Sequence, residues 1–295
     1  MLVIVVFIVL IIVLIILFAI IGPMVSGYAS EAIDQAQQSM PPRIQLLEKI
    51  GIFNGVEHGN NVYVQRGLTG VYHWFGTDTN GRDLFTRVWE GTRVSLIIAV
   101  SAALIDIVIG MSYGLISGYF GGKIDMVMQR FAEILNGIPT LVTVTLLGLV
   151  LPGGIATIIF ALMITGWIGM SRIARAEMLK LKESEYVLAS KTLGAKSFSI
   201  IFKDIMPNIF GQLIIMSMFS IPNAIFTEAF LSFVGLGIQP PQASLGSLIS
   251  DGYKSMTIHP YIMIAPIVVL ALLMLSFNLF ADGIRDAFDP NQKHS

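Results

Sequence analysis

Long apolar runs separated by polar segments dominate the pattern of this chain. A helix needs about 20 mostly apolar residues to cross a bilayer, because each residue rises about 1.5 Å and the hydrocarbon core is about 30 Å thick. The runs are continuously apolar, which favours helices over the alternating strands of a membrane barrel. The sequence therefore predicts an all-α polytopic membrane protein with six transmembrane helices, at 2–21, 94–118, 131–151, 155–171, 209–236 and 261–281.

The first apolar run has a second interpretation, as a signal peptide. Its length exceeds the 7–15 apolar residues that are usual in signal peptides. No basic residue precedes the run, and no convincing small-residue cleavage site follows it. We therefore expect residues 1–22 to form a retained first transmembrane helix.

The positions of the basic residues predict the orientation in the membrane. Cytoplasmic loops carry an excess of Lys and Arg, and most of the 18 basic residues lie inside if the amino terminus is cytoplasmic. This arrangement predicts two cytoplasmic termini, an extracytoplasmic segment 23–93, a core 94–281 with a cytoplasmic loop 172–208, and a cytoplasmic tail 282–295. The bias comes mainly from that loop, which contains Arg172, Arg175, Lys180, Lys182, Lys191, Lys196 and Lys203.

The composition excludes several classes of protein. Only 13% of residues are charged, against roughly 25% in a soluble domain, which argues against a soluble enzyme. The net charge of −1 leaves no positive excess for nucleic acid. The chain has no cysteine, no GxxxxGK[ST] phosphate loop and no paired metal-ligating histidines. We expect no catalytic site, metal or cofactor in this chain, and surface roles for its histidines, which are His58, His73, His259 and His294.

The predicted cytoplasmic loop contains two short helices separated by Gly194. Glycine permits the left-handed conformation after a helix end, and proline cannot continue a helix, so the second helix is expected to end at Pro207. Tyr186, Val187 and Leu193 form an apolar patch with a basic rim. Such a patch either docks a partner protein or lies flat on anionic lipid, and composition alone leaves both interpretations open.

This loop resembles the EAA loop of permease subunits in binding-protein-dependent ABC importers. The matching residues are Ala189 and Ser190 before Gly194, and Met206 and Pro207 after it. Leu188 and Asp204 depart from the family pattern, in which glutamate and isoleucine are expected. The resemblance implies a type I importer permease whose coupling helix docks on an ATPase subunit, with coupling residues Tyr186, Val187, Leu188, Ala189, Ser190, Gly194 and Pro207.

A second motif precedes the second apolar run. Residues 75–83 read FGTDTNGRD, and they resemble the FGTDxxGRD signature of C-type permeases in oligopeptide and dipeptide importers. Shorter matches follow at 118–125, 138–139, 231–241 and 282–290. The aspartates can accept hydrogen bonds from backbone amides and from arginine, so the motif forms either a rigid cap or a contact with substrate or binding protein. Its candidate residues are Gly76, Thr77, Asp78, Gly81, Arg82 and Asp83.

Two carboxylates, Asp106 and Glu228, fall inside predicted spans. A carboxylate that faces lipid costs on the order of 3 kcal/mol, so each one either lines a translocation path or forms an interhelical hydrogen bond. Gly110, Gly114 and Gly118 repeat every four residues, which predicts close packing of the second span against a neighbouring helix.

The resemblance implies a permease in a bacterial or archaeal cell membrane, where membrane lipid surrounds the spans. Its expected partners are a homologous second permease, two ATP-binding subunits that hold ATP and Mg²⁺, and an extracytoplasmic solute-binding protein. The expected cargo is short peptides, with nickel or metal chelates as the alternative. An ion-coupled secondary transporter and a polytopic membrane enzyme are the remaining rivals.

Overall fold

The computed structural model describes residues 2–151 and 153–288. Asp289 and Pro290 of the tail motif, His294 and the rest of the tail after residue 288 lie outside the described residues. The described part is mostly helical, with helices α1 (Leu2–Val25), α2 (Val62–Gln65), α3 (Leu84–Ile105), α4 (Ser112–Phe120), α5 (Gly122–Asn136), α6 (Thr140–Val150), α7 (Ile155–Thr165), α8 (Ile168–Leu181), α9 (Glu185–Thr192), α10 (Ser197–Ser199), α11 (Met206–Met218), α12 (Ser220–Phe233), α13 (Leu245–Lys254) and α14 (Tyr261–Phe288).

Within residues 2–151 and 153–288, five helical stretches are long and apolar enough to cross a membrane, and a bent pair makes a sixth if it forms one span. Each of the five stretches overlaps a transmembrane helix that the apolar runs of the sequence predict. The five stretches are Val5–Val25, Leu84–Phe120, Ile155–Leu181, Ser197–Phe233 and Tyr261–Ala287.

The third predicted span is a pair of bent helices rather than one continuous helix. Helices α5 and α6 meet at an angle of 77°. Gly137 ends α5, and Pro139 precedes the first residue of α6 in an extended conformation. Proline disfavours helical backbone in the residue before it, so the helix stops and restarts although the apolar run continues.

Several spans extend beyond their apolar runs. Helix α3 begins at Leu84 rather than at residue 94, and α8 continues to Leu181. The predicted end of a helix at Pro207 is also wrong, because helical structure continues from Ser197 to Phe233. Pro207 lies in the first turn of α11, where the missing N–H needs no intrahelical partner. The non-helical part of the predicted loop 172–208 is correspondingly short.

Three spans are interrupted within their length. A π-helical segment, Asp106–Met111, separates α3 from α4. Helices α7 and α8 are separated at Gly166 and Trp167, and α11 and α12 at Phe219. Pro222 lies one turn into α12 and cannot donate a hydrogen bond to the preceding turn, which accounts for the last interruption. A second π-helical segment, Ile200–Ile205, precedes α11.

The glycine stripe on α4 and the preceding π-helical segment packs directly against α8, as the sequence predicts. A Cβ atom on Gly110 would lie 2.7 Å from the Trp167 carbonyl oxygen, and one on Gly118 would lie 2.9 Å from the carbonyl oxygen of Arg175. Because no side chain intervenes, the two helix backbones approach each other closely. This contact holds the second and fourth spans together.

The segment between α1 and α3, here called the 26–83 segment, folds around Arg43. Its guanidinium Nε lies 2.9 Å from Glu48 Oε2, and the group stacks on the rings of Tyr72 and Tyr63. Tyr63 donates a hydrogen bond to the Pro41 carbonyl oxygen. Burial raises the pKa of Tyr63, which keeps the phenol protonated as a donor.

Pro41, Pro42 and Gly51 flank residues 44–50 and predict turns around a short helix there, but the local structure differs. That region contains a turn followed by the 3₁₀ helix Glu48–Ile50. A small antiparallel hairpin follows, formed by β1 (Val56–Glu57) and β2 (Asn60–Asn61). The short elements are held by side chains from distant positions, such as Tyr63 on Pro41, rather than by local helix propensity.

Helix α13 occupies part of what the sequence presents as an outer loop. Ser244 caps it reciprocally with Ser247. A Cβ atom on Gly252 would lie 2.7 Å from Met263 Cα, so α13 packs tightly on α14. Because α13 contains polar residues, its sequence is not a long apolar run, and apolar length alone does not predict this helix.

Candidate functional site

The FGTDTNGRD loop is organised by Asp78, which is 3% exposed. Its Oδ1 accepts hydrogen bonds from the backbone amides of Asn80 and Arg82, both at 2.9 Å. Its Oδ2 accepts a hydrogen bond from Arg82 Nε at 2.7 Å and lies 3.6 Å from Arg87 Nε. One carboxylate therefore fixes the turn and compensates buried guanidinium charge.

Asp83 connects the same loop to the second span. It caps the amino terminus of α3 by accepting the Thr86 amide at 2.8 Å, and its other oxygen lies 2.7 Å from His73 Nδ1. The second ring nitrogen of His73 contacts Gln37 Oε1 at 2.6 Å. The surface role expected for His73 is wrong, since this side chain is 1% exposed. Its partners lie far away in sequence, and spacing gives no sign of them.

Gly76, Thr77 and Gly81 bring the loop against the start of the 26–83 segment. Thr77 Oγ1 accepts a hydrogen bond from the Met40 amide at 2.8 Å and donates to the Gln37 carbonyl oxygen. Gly81 has φ = +78°, and a Cβ atom there would overlap the Asp34 carbonyl oxygen. These contacts describe a rigid cap over the start of α3. A contact between the loop and substrate or binding protein stays a prediction.

The residues expected to couple to an ATPase lie on and after α9. Val187 is fully buried in a cluster with Met178 of α8 and Ile201 of the second π-helical segment. The neighbouring apolar residues point outward and form what we call the α9 surface. Its members are Tyr186, Leu188, Leu193 and Phe198, with exposed fractions of 39%, 49%, 87% and 59%.

Helix α9 ends in a Schellman motif at Gly194. The Gly194 amide donates to the Lys191 carbonyl oxygen at 3.0 Å, and the Ala195 amide donates to that of Ser190 at 3.1 Å. Gly194 has φ = +80°, which glycine adopts without steric cost. Ala189 and Ser190 thus contribute backbone carbonyl groups to the helix end. Pro207 lies apart from this surface, in the first turn of α11.

An ion pair supports this end of the bundle. Arg175 of α8 binds Asp125 of α5 through two hydrogen bonds of 2.6 and 2.5 Å. Asp125 Oδ1 also accepts a hydrogen bond from Ser117 of α4. The sequence motif includes Asp125, but it gives no sign that Arg175 is its partner, because 50 positions separate the two.

Glu228 lies between spans and is fully buried. Its carboxylate accepts hydrogen bonds from Ser95 of α3 at 2.8 Å and from Ser232, one turn later on α12, at 2.7 Å. Ser232 also accepts a hydrogen bond from the Ile238 amide at 3.1 Å. The geometry favours the interpretation of Glu228 as an interhelical hydrogen-bonding group.

Asp106 lies at the wall of a small pocket with both polar and apolar lining, here called the Asp106 recess. Its carboxylate accepts a hydrogen bond from Ser220. The recess has a volume of about 50 Å³ and is also lined by Gly166, Asn223 and Thr227. Asp106, Gly166 and Ser220 lie at or beside the interruptions of three spans. Asp106 therefore combines an interhelical hydrogen bond with a position in a cavity.

Comparison with known families decides the class of the chain. The family profile of the binding-protein-dependent transport system inner membrane component matches residues 110–294. The chain belongs to this family. It is a membrane-embedded permease.

Named relatives of the permease come from oligopeptide and dipeptide systems. It is 50% identical over 218 residues to the oligopeptide permease protein OppC of Bacillus subtilis, covering 74% of this chain and 72% of that protein. It is 43% identical to the dipeptide permease protein DppC of the same organism, covering 92% and 77%. OppC of Escherichia coli is 38% identical, with coverage of 94% and 83%.

The permease shares its fold with a solved transporter. A chain of the MetNI methionine ABC transporter in an inward-facing conformation matches with a TM-score of 0.55 and 18% identity. The match covers 68% of this chain and 95% of the other. The type I importer permease fold expected from the sequence is thereby confirmed.

We expect replacement of Glu228 by alanine to lower the stability of the permease by about 2 kcal/mol. The substitution leaves the buried hydroxyl groups of Ser95 and Ser232 without their acceptor, and such groups cost about 1–3 kcal/mol each. Thermal unfolding of the detergent-purified protein measures the effect. Glu228→Gln keeps an acceptor of the same shape and should remain close to the wild type. Equal melting temperatures for Glu228→Ala and the wild type would contradict the structural interpretation.

Proposed function

We propose that this permease forms, with a homologous second permease, the path by which short peptides enter the cell. Two ATP-binding subunits that hold ATP and Mg²⁺ supply the energy, and an extracytoplasmic solute-binding protein delivers the cargo. Both termini and the α9 surface face the cytoplasm of a bacterial or archaeal cell. The peptide cargo is supported by the names of the relatives, which favour it over nickel or metal chelates.

The observation that carries this proposal is the α9 surface. Exposed aliphatic and aromatic side chains surround a helix that is itself anchored by buried Val187. Lys191 and Lys196 are exposed beside them. An apolar patch with a polar rim is the anatomy of a protein interface. Docking of an ATPase subunit explains why α9 and the residues that follow it present four large apolar side chains to solvent.

The packing of α9 suggests how docking is transmitted. Val187 contacts the cluster that includes α8, α11 and the residues of both π-helical segments. A displacement of α9 therefore pushes on the second, fourth and fifth spans together, because packed interiors transmit strain rather than absorb it. We propose that closure of the ATPase subunits moves α9, and that the spans respond as rigid bodies in alternating access.

Replacement of Leu193 by glutamate tests the docking surface. Leu193 is 87% exposed, so the substitution leaves the fold of the permease intact and places a charge where the ATPase subunit would bury it. We expect affinity for the ATPase subunit to fall by about tenfold or more, measured by co-purification from membranes at graded expression levels. Peptide uptake should fall with it.

Leu46→Glu is the matched control, because Leu46 is 82% exposed in the 26–83 segment. It should leave ATPase binding unchanged. Leu188→Glu adds a second variant on the same surface, because Leu188 is 49% exposed and its replacement leaves the buried Val187 anchor in place. ATPase recovery equal to that of the wild type in both α9-surface variants would refute the proposal.

A further inference from the structure

The Asp106 recess lies on a face of the permease that cannot be in contact with lipid. Asn223 is exposed and lies well inside the span Ser197–Phe233. An amide that faces hydrocarbon without partners costs several kcal/mol. This face must therefore contact water or protein. Thr227, one turn further along α12, also lines the recess.

The charge inside the recess is not balanced by the surrounding protein. Asp106 is 4% exposed and has Ser220 as its hydrogen-bond partner. Within residues 2–151 and 153–288, none of the ion pairs includes Asp106. Uncompensated carboxylates inside membranes are costly and mark sites that bind cations or polar cargo.

The size and chemistry of the recess define what fits. A volume of about 50 Å³ holds several water molecules, and an ammonium group is similar in size to one of them. Carboxylate, hydroxyl and amide oxygens from Asp106, Ser220 and Asn223 are all hydrogen-bond acceptors. An ammonium group provides only donors and one positive charge, so it complements this set.

We propose that the Asp106 recess is a subsite in the translocation path that binds an ammonium group, namely the free amino terminus or a lysine side chain of the peptide cargo. This assignment of cargo rests on the proposed function. Because three spans are interrupted at this level, the walls of the recess change shape when the spans move. The cargo occupies the subsite only transiently, because a path that bound its cargo tightly would release that cargo slowly.

Charge-selective labelling tests the recess without requiring transport. The chain contains no cysteine, so Asn223→Cys introduces a single thiol on this subunit. Membrane vesicles of both orientations that contain the full transporter are treated with a trimethylammonium or a sulfonate methanethiosulfonate reagent. After correction for intrinsic reactivity, we expect the cationic reagent to react about tenfold faster, because charged clefts concentrate counter-ions.

Three further variants separate charge from structure. Asp106→Asn should bring the two rates together, whereas Asp106→Glu and Ser220→Ala keep the carboxylate and should preserve the preference. Leu46→Cys, on the exposed 26–83 segment, should show one rate ratio whether residue 106 is Asp or Asn. If the cationic reagent does not label Asn223→Cys, or if the rate ratio is unchanged in Asp106→Asn, the cation site is overturned.

Protection by peptide tests the identity of the cargo group. A dipeptide with a free amino terminus should slow labelling of Asn223→Cys, and its N-acetylated form should not. Equal protection by both forms, or protection by neither, overturns the ammonium subsite. If the charge preference depends on Asp106 but the complex imports no peptide, the cation site stands and the proposed function fails.

Discussion

Asp78→Ala should open the 26–83 segment and leave the membrane spans folded. Removing this carboxylate leaves Arg82 and Arg87 buried without their counter-charge, at 6% and 1% exposure. Breaking a buried pair by removing one partner costs about 3–5 kcal/mol. Because a change of 1.4 kcal/mol is tenfold in an equilibrium, local opening should become more frequent by about a hundredfold or more. Hydrogen exchange of the peptide that covers residues 73–89, followed by mass spectrometry, measures this change.

Asp34→Ala provides the matched control for this prediction. Asp34 belongs to the same segment, but it is exposed and its carboxylate is bonded to Ala36 and Gln37, its own neighbours. Its removal should change protection of residues 73–89 by less than about tenfold, since a lost cap costs about 1 kcal/mol. Equal protection in Asp78→Ala and Asp34→Ala would show that the buried charges are compensated elsewhere.

The membrane part of the fold could be predicted because one physical effect, the burial of long apolar helices in lipid, dominates it. Apolar length alone locates five spans, and the repeat of Gly110, Gly114 and Gly118 identifies a packing face. The predicted helix boundaries differ from the structure where backbone geometry or buried charge competes with apolar burial. Pro139 breaks the third apolar run, and Arg87 is buried in a helix whose charged residues shorten its apolar run.

The candidate sites also contain features that local sequence determines and features that only the tertiary fold determines. The Gly194 helix end could be predicted, because a Schellman motif is determined by neighbours in sequence. The pairs Arg175 with Asp125, His73 with Asp83 and Ser95 with Glu228 could not, because each joins residues that only the tertiary fold brings together. The Asp106 recess is a further example, since its lining comes from three separate spans.

Gly114→Ala should destabilise the whole permease, because it acts at the closest approach of two spans. An added Cβ would overlap the carbonyl oxygen of Ser171 and lie 2.9 Å from Ala174 Cβ. The carbonyl group belongs to the backbone of α8 and cannot rotate away, so α4 and α8 must separate. Overpacking of a core costs typically 1–3 kcal/mol and occasionally more. We expect about 3 kcal/mol here, a melting temperature lower by at least about 5 °C, and less protein in the membrane.

The same substitution at Gly211 isolates the effect of packing from that of composition. Gly211 lies within α11, and a Cβ atom there would meet nothing within 4 Å. Alanine is favoured over glycine in helices by up to about 1 kcal/mol, so Gly211→Ala should melt at the wild-type temperature or slightly above it. The two variants differ by one methyl group each and should shift stability in opposite directions. If Gly114→Ala and Gly211→Ala melt at the same temperature, the second and fourth spans do not pack through the glycine stripe.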